Sequence, residues 1–201
     1  MTNTIVYEFP QPSVFPNTLG MENPVKFSYQ LNNPGSAKGS LSLHDSTIDF
    51  ELSNSSNPLY DLLSGLSNMI LTPSHIWDEV NQTWIEWMND EYAIRIVLST
   101  ADGEHLHVTA CKLNDIFDDT EAEILISGEC LMIHFILAIV RELDLLIKNT
   151  GLLNYSQQWQ KDEFPLTSFL FLKKHLIDRG LWIPNQENNH NLSSEIDLLM
   201  K

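Results

Sequence analysis

Residues 83–113 read TWIEWMNDEYAIRIVLSTADGEHLHVTACKL, and their period decides the fold. Polar and apolar side chains alternate in three runs, TWIEWMN (83–89), YAIRIVLST (92–100) and HLHVTACKL (105–113). Alternation at every second residue marks half-buried strands. Asn89-Asp90 and Ala101-Asp102-Gly103 separate the runs and suit tight turns. Connections this short cannot carry a parallel crossover, so the runs predict an antiparallel meander. In the first run Trp84, Glu86 and Met88 share one face, while Ile85 and Trp87 take the other.

The same period appears upstream. VKFSYQL (25–31) and SLSLHDSTIDFELS (40–53) alternate, with NNPGSAKG as the loop between them and a tight break near Asp45-Ser46. AEILIS (122–127) adds a short strand downstream. Three stretches change to helical spacing. NPLYDLLSGLSNMIL (57–71) places Leu59, Leu62, Leu63, Leu66, Met69 and Ile70 on one stripe, with Asn57 as cap and Pro58 in the first turn. An apolar helix is expected over about 129–149, ending before Gly151. A last helix over 164–180 would bury Leu166, Phe169, Leu170, Leu176 and Ile177. LNYSQQWQKDEFP reads as a polar connector with aromatic anchors.

The fold class expected is α+β, an antiparallel meander sheet of about six strands with about three helices packed mainly on one face. Residues 1–24, rich in proline, read as an extended arm; 25–183 as a single domain; 184–201 as a polar, mobile tail.

With 201 residues, 43% of them hydrophobic, the chain can bury a sizeable core. Two cysteines, Cys111 and Cys130, cannot build a disulfide framework and fit a reduced cytoplasm, where the absence of a secretory signal also places the chain. The apolar run LMIHFILAIV (131–140) is too short to span a bilayer. Charge is the unusual feature. Residues 45–129 hold 17 acidic and two basic side chains, net −15, whereas residues 1–44 are net 0 and 130–201 net −1. Such a field repels nucleic acid and anionic membranes, and it steers a basic protein inward. Oligomeric state is left open by the sequence.

KLNDIFDDTEAE (112–123) concentrates that charge. It lacks the glycine of a calcium loop and places Ile116 and Phe117 where ligands would stand. No nucleophile, phosphate loop or paired-cysteine metal motif accompanies it, so neither catalytic residue, metal nor cofactor is expected. It is either a solvated loop or a partner surface, with apolar anchors interleaved among the acids. The candidate partner-binding residues are Asp115, Ile116, Phe117, Asp118, Asp119, Glu121 and Glu123, with Glu86, Asp90 and Glu91 around the Trp84–Trp87 cluster. Trp77, Trp84 and Trp87 are either core plus one exposed ring, or an aromatic hot spot. His105 and His107 lie on one strand face and could begin a zinc site, though a third ligand at a typical spacing is missing. Cys111, Cys130 and His134 read as core or core-edge side chains.

Together the meander, the WIEWMNDEYAIRIVLS hairpin (84–99), the long apolar helix and the GLLNYSQQW…FPL…FL ending (151–170) resemble the small acidic immunity proteins that bacteria encode beside polymorphic or contact-dependent toxins. The resemblance covers residues 25–180 and is one of fold and composition. It implies a cytoplasmic protein without catalysis that grips a basic toxin domain, often a nuclease, and blocks its active site. It transfers no binding residue. The rival expectations are a small metal-dependent or hydrolytic enzyme using His105 and His107, and a regulatory or structural subunit of a bacterial assembly.

Overall fold

Leu59, Leu62, Leu63, Leu66 and Met69 recur at helical spacing and are all buried, so Pro58–Leu71 forms an amphipathic helix, α1. It divides the strands into two groups. Before it come β1 (Val25–Leu31), β2 (Ser36–Leu43) and β3 (Ser46–Ser53), paired antiparallel in the order β1-β2-β3. After it come β4 (Asn81–Met88), β5 (Ala93–Thr100), β6 (His105–Leu113) and β7 (Glu123–Leu131), antiparallel in the order β4-β5-β6-β7. Helices α2 (Met132–Thr150), α3 (Leu152–Trp159), α4 (Leu166–Asp178) and α5 (Asn191–Leu199) complete the chain. The computed structural model describes residues 23–73, 79–114, 122–183 and 191–200.

The class is α+β, but the expected single sheet of about six strands and three helices is corrected to two antiparallel sheets, of three and four strands, and five helices among the described residues. The reason is the placement of α1. Trp87 Nε1 donates to Pro58 O at the start of the helix (3.1 Å), and Asn81 Nδ2 donates to Met69 O near its end (2.9 Å). From Pro58 to Met69 the helix rises about 16 Å, and Asn81 to Trp87 spans about 20 Å of strand. Helix and strand therefore run side by side in opposite directions, and α1 shields the edge of β4 that β3 would otherwise pair with. Gly65 permits the approach: a Cβ there would lie 3.0 Å from Thr83 Oγ1.

Both sheets contribute to one core. Phe27 of β1, Phe50 of β3 and Trp87 of β4 meet inside it, with the Phe50 and Trp87 rings edge to face at 4.7 Å. Gly39 stands in register between Tyr29 and Phe50. A Cβ on it would lie 2.0 Å from Ser28 O and 2.8 Å from Phe50 Cζ, so the bare glycine leaves room for the ring. The outer edge of β1 faces α2, where Glu142 Oε1 accepts from Tyr29 N–H (3.3 Å). The edge of β3 meets the β4–β5 turn, where Asn89 Nδ2 donates to Glu51 O (3.2 Å).

Three local expectations are revised. Glu129, Cys130 and Leu131 belong to β7, paired with His107, Leu106 and His105, and the helix starts only at Met132. The connector contains α3, whose buried residues are Tyr155 and Trp159. On α4 the buried stripe is Phe169, Leu172 and Leu176, while Leu166, Leu170 and Ile177 are exposed. Residues 1–22 of the expected arm and 184–190 of the expected tail lie outside the described residues. Within that tail stretch, α5 ties back to the body. Glu195 accepts from Leu152 N (2.5 Å) and Leu153 N (3.0 Å), the free amides at the start of α3. Among the described residues no helix is long and apolar enough to cross a membrane.

Candidate functional site

Strand alternation gives each sheet an outer face, and the two faces differ in chemistry. On the three-stranded sheet the rows across the strands are Lys26–Ser42–Thr47, Ser28–Ser40–Asp49 and Gln30–Lys38–Glu51. Every side chain is polar. With Asn89, Asp90, Glu91 and Tyr92 of the β4–β5 turn, this face borders an open groove of about 760 Å³. A face of this composition is satisfied by water.

On the four-stranded sheet the rows are Gln82–Ser99–His107–Glu129, Trp84–Val97–Thr109–Ser127 and Glu86–Arg95–Cys111–Ile124. A bulge at Leu125 brings Ile124 onto the last row, because Ala110 pairs with Ile126 but Cys111 with Ile124. Trp84 is 69% exposed and Ile124 65%, so no described element covers either. Between them Val97, Thr109 and Cys111 are half-buried. The two apolar residues stand on the outermost strands, which lie about 14 Å apart at ordinary strand spacing, and one row apart along them. Arg95 Nε and Nη2 both donate to Glu86 Oε1 (2.8 and 2.7 Å), a cross-strand pair beside Trp84.

Trp84 also walls a smaller groove between β4 and α1. Its volume is about 310 Å³, and its lining includes Asp61, Ser64, Asn68, Thr83 and Glu86. Desolvation raises the Asp61 carboxyl above its usual range; Lys161 opposes the shift, and Asp162 and Glu86 add to it. Lys161 Nζ itself donates to Ser55 O (2.8 Å).

The residues flagged by charge in the sequence separate in space. Glu86 lies beside Trp84 on the open face, and Glu123 is exposed at the start of β7, across from Lys112. Asp90 and Glu91 line the polar groove instead. Asp115, Ile116, Phe117, Asp118, Asp119 and Glu121 lie outside the described residues. Asp61, Val97 and Ile124 were missed. The alternation of β5 could have found Val97; Ile124 was hidden by the bulge and Asp61 by the unknown helix–strand pairing.

The two histidines have separate surroundings. His105 Nδ1 and Asp102 Oδ2 are 2.7 Å apart, and Asp102 Oδ1 accepts from Glu104 N and His105 N, each at 2.8 Å. These bonds hold the Asp102 carboxyl well below the usual range, and the same carboxylate raises the His105 imidazole. His107 Nε2 is 3.4 Å from Thr109 Oγ1. Among the described residues no three of His, Cys, Asp or Glu gather in a way that could hold a metal ion. Burial pushes the Cys130 thiol up to about 12, which removes its nucleophilic form at neutral pH.

No family model, curated protein or solved structure matches the chain.

Proposed function

We propose that this chain is a binding protein without catalysis, an immunity protein that captures a basic toxin domain on the outer face of its four-stranded sheet. The observation that carries the proposal is the contrast between the two outer faces. One is polar throughout; the other displays Trp84 and Ile124 inside the segment of net charge −15. Tryptophan in a partly desolvated setting is a common energetic anchor of interfaces, and surrounding acids accelerate encounter with a cationic partner. Of the four sheet edges, those of β1 and β4 are shielded by helices, which favours docking on a face over strand addition there. An acidic cover over a nuclease would also occupy the surface built for phosphate.

Affinity capture of the tagged chain from its own host, at low and moderate salt, tests the reading. A basic protein that co-purifies with the parent chain, and is lost with the double variant Trp84→Ala, Ile124→Ser, is the expected result. Recovery of no stable partner under either condition would count against it. Charge reversal at Asp115, Asp118 and Asp119 should slow association while leaving the melting temperature in place.

The Asp102–His105 pair favours a second reading, a small hydrolase with His105 as base. Metal analysis and an activity screen of the parent chain beside His105→Ala and His107→Ala separate the two. Activity lost in either variant would select the enzyme.

A further inference from the structure

The groove between α1 and β4 combines the exposed indole of Trp84 with carboxylate oxygens that no described residue engages. Arg95 occupies Glu86 Oε1, which leaves Glu86 Oε2 and both Asp61 oxygens without a hydrogen-bond partner among the described residues. Among the described residues the groove is lined by two acids, Asp61 and Glu86, with Asp162 and Lys161 acting on Asp61 through their charge and Arg95 paired with Glu86. Lys161 acts on Asp61 through its charge, while its ammonium is hydrogen-bonded to Ser55 O. The Asp61 carboxyl is raised mainly by desolvation, a penalty on its charged form that pairing with a cation would offset. Ser64 Oγ is turned back onto Tyr60 O (2.6 Å), so the lining offers mostly acceptors.

An aromatic wall, a carboxylate without a hydrogen-bond partner among the described residues, and acceptors in a slot define one complementary group. Guanidinium is flat, always charged, and forks its N–H donors in one plane, so it can stack on indole while it pairs with a carboxylate. We propose that this groove seats an arginine side chain of the basic partner, its guanidinium stacked on Trp84 and paired with Asp61. The proposal rests on the binding reading above and names the chemistry of its contact. Ammonium lacks the flat face and makes the weaker fit.

The test uses three blocked tripeptides, Gly-Arg-Gly, Gly-Lys-Gly and Gly-citrulline-Gly, titrated into the isotope-labelled full chain. The readout is the Trp84 indole N–H resonance. Saturable movement with the arginine peptide is expected, weaker by about fivefold with lysine and absent with uncharged citrulline. Trp84→Leu and Asp61→Asn should each weaken arginine binding by about fivefold, followed in the first variant by the Asp61 backbone amide. No saturable movement, equal response to lysine or citrulline, or indifference to both variants would overturn the proposal. A captured protein partner that binds both variants as tightly as the parent would also overturn this seat, yet leave the binding function standing. Arginine-specific movement without any captured partner would support the seat and remove the function.

Discussion

Trp84 and Trp87 lie three residues apart on β4, and their surroundings are opposite. Trp84 is 69% exposed, whereas Trp87 is 1% exposed and donates its indole N–H to Pro58 O. An odd separation on a strand sends the two rings to opposite faces. Trp87→Ala should cost about 3–5 kcal/mol of folding stability, the range for a truncated core aromatic. Trp84→Ala should stay within about 0.5 kcal/mol, as exposed sites do. Urea midpoints at constant slope measure both, and equal losses would contradict the assigned faces.

Gly39→Ala should destabilise the chain by about 3 kcal/mol, through overpacking. The new methyl would stand against the carbonyl of Ser28 and the ring of Phe50. Gly180 offers a contrast. Nothing lies within 4 Å of a Cβ there, but its φ is +68°. Gly180→Ala should cost about 1 kcal/mol, from backbone conformation alone. Shortening Phe50 to leucine should recover part of the first loss and none of the second.

Asp144 is buried on α2 between two ammonium groups, Lys148 (2.7 Å) and Lys173 of α4. Removal of one member of such a cluster leaves charge uncompensated. Asp144→Ala should therefore cost about 3 kcal/mol and loosen α4. The replacement of Lys173 by methionine removes the ammonium that stands over the Phe169 and Trp182 rings but leaves Lys148 on the Asp144 carboxylate, and should cost less. Thermal melts rank the two variants, and the reverse order would contradict the assignment.

Two histidines should give opposite pH dependence. Burial and the neighbouring Arg179 hold His175 down to about 4, below its ordinary value near 6.5. The unfolded chain then binds the extra proton more readily, so stability is lost as pH falls from about 6.5 toward 4. Asp102 raises His105, so that contribution is full below about 6.5 and fades as pH rises through the folded value. The Asp102 carboxyl, held low by the same bonds, keeps its own contribution above its ordinary value and loses it only in stronger acid. Melting temperature against pH should be flatter between about 6.5 and 4 in His175→Gln than in the parent chain. Asp102→Asn should return the imidazole titration of His105, followed by NMR, toward 6.5.

The strands were legible because alternation is a local property. Phe27, Tyr29, Ile48, Phe50, Ile85 and Trp87 all point inward as their parity requires. The boundary between β7 and α2 was not, since LMIHFILAIV satisfies either period and the pairing of Cys130 with Leu106 decides it. α3 was hidden because its buried stripe is a single pair, Tyr155 and Trp159. The split into two sheets depends on α1 lying along β4, a tertiary relation with no local mark. The same relation explains the site. Glu86 beside Trp84 follows from alternation, whereas Asp61 joins them only because α1 and β4 are adjacent.

The two sheets also set an order of events during synthesis. Every described ladder joins strands that are neighbours in sequence, so each hairpin closes a short loop at small entropic cost. The three-stranded sheet can pair once Ser53 is available, but the cover of its β1 edge, α2, starts at Met132. Between those moments the Tyr29 amide has no Glu142 to receive it. The nascent chain thus passes through a stage with an open strand edge, and slow translation before Met132 would lengthen its exposure to aggregation.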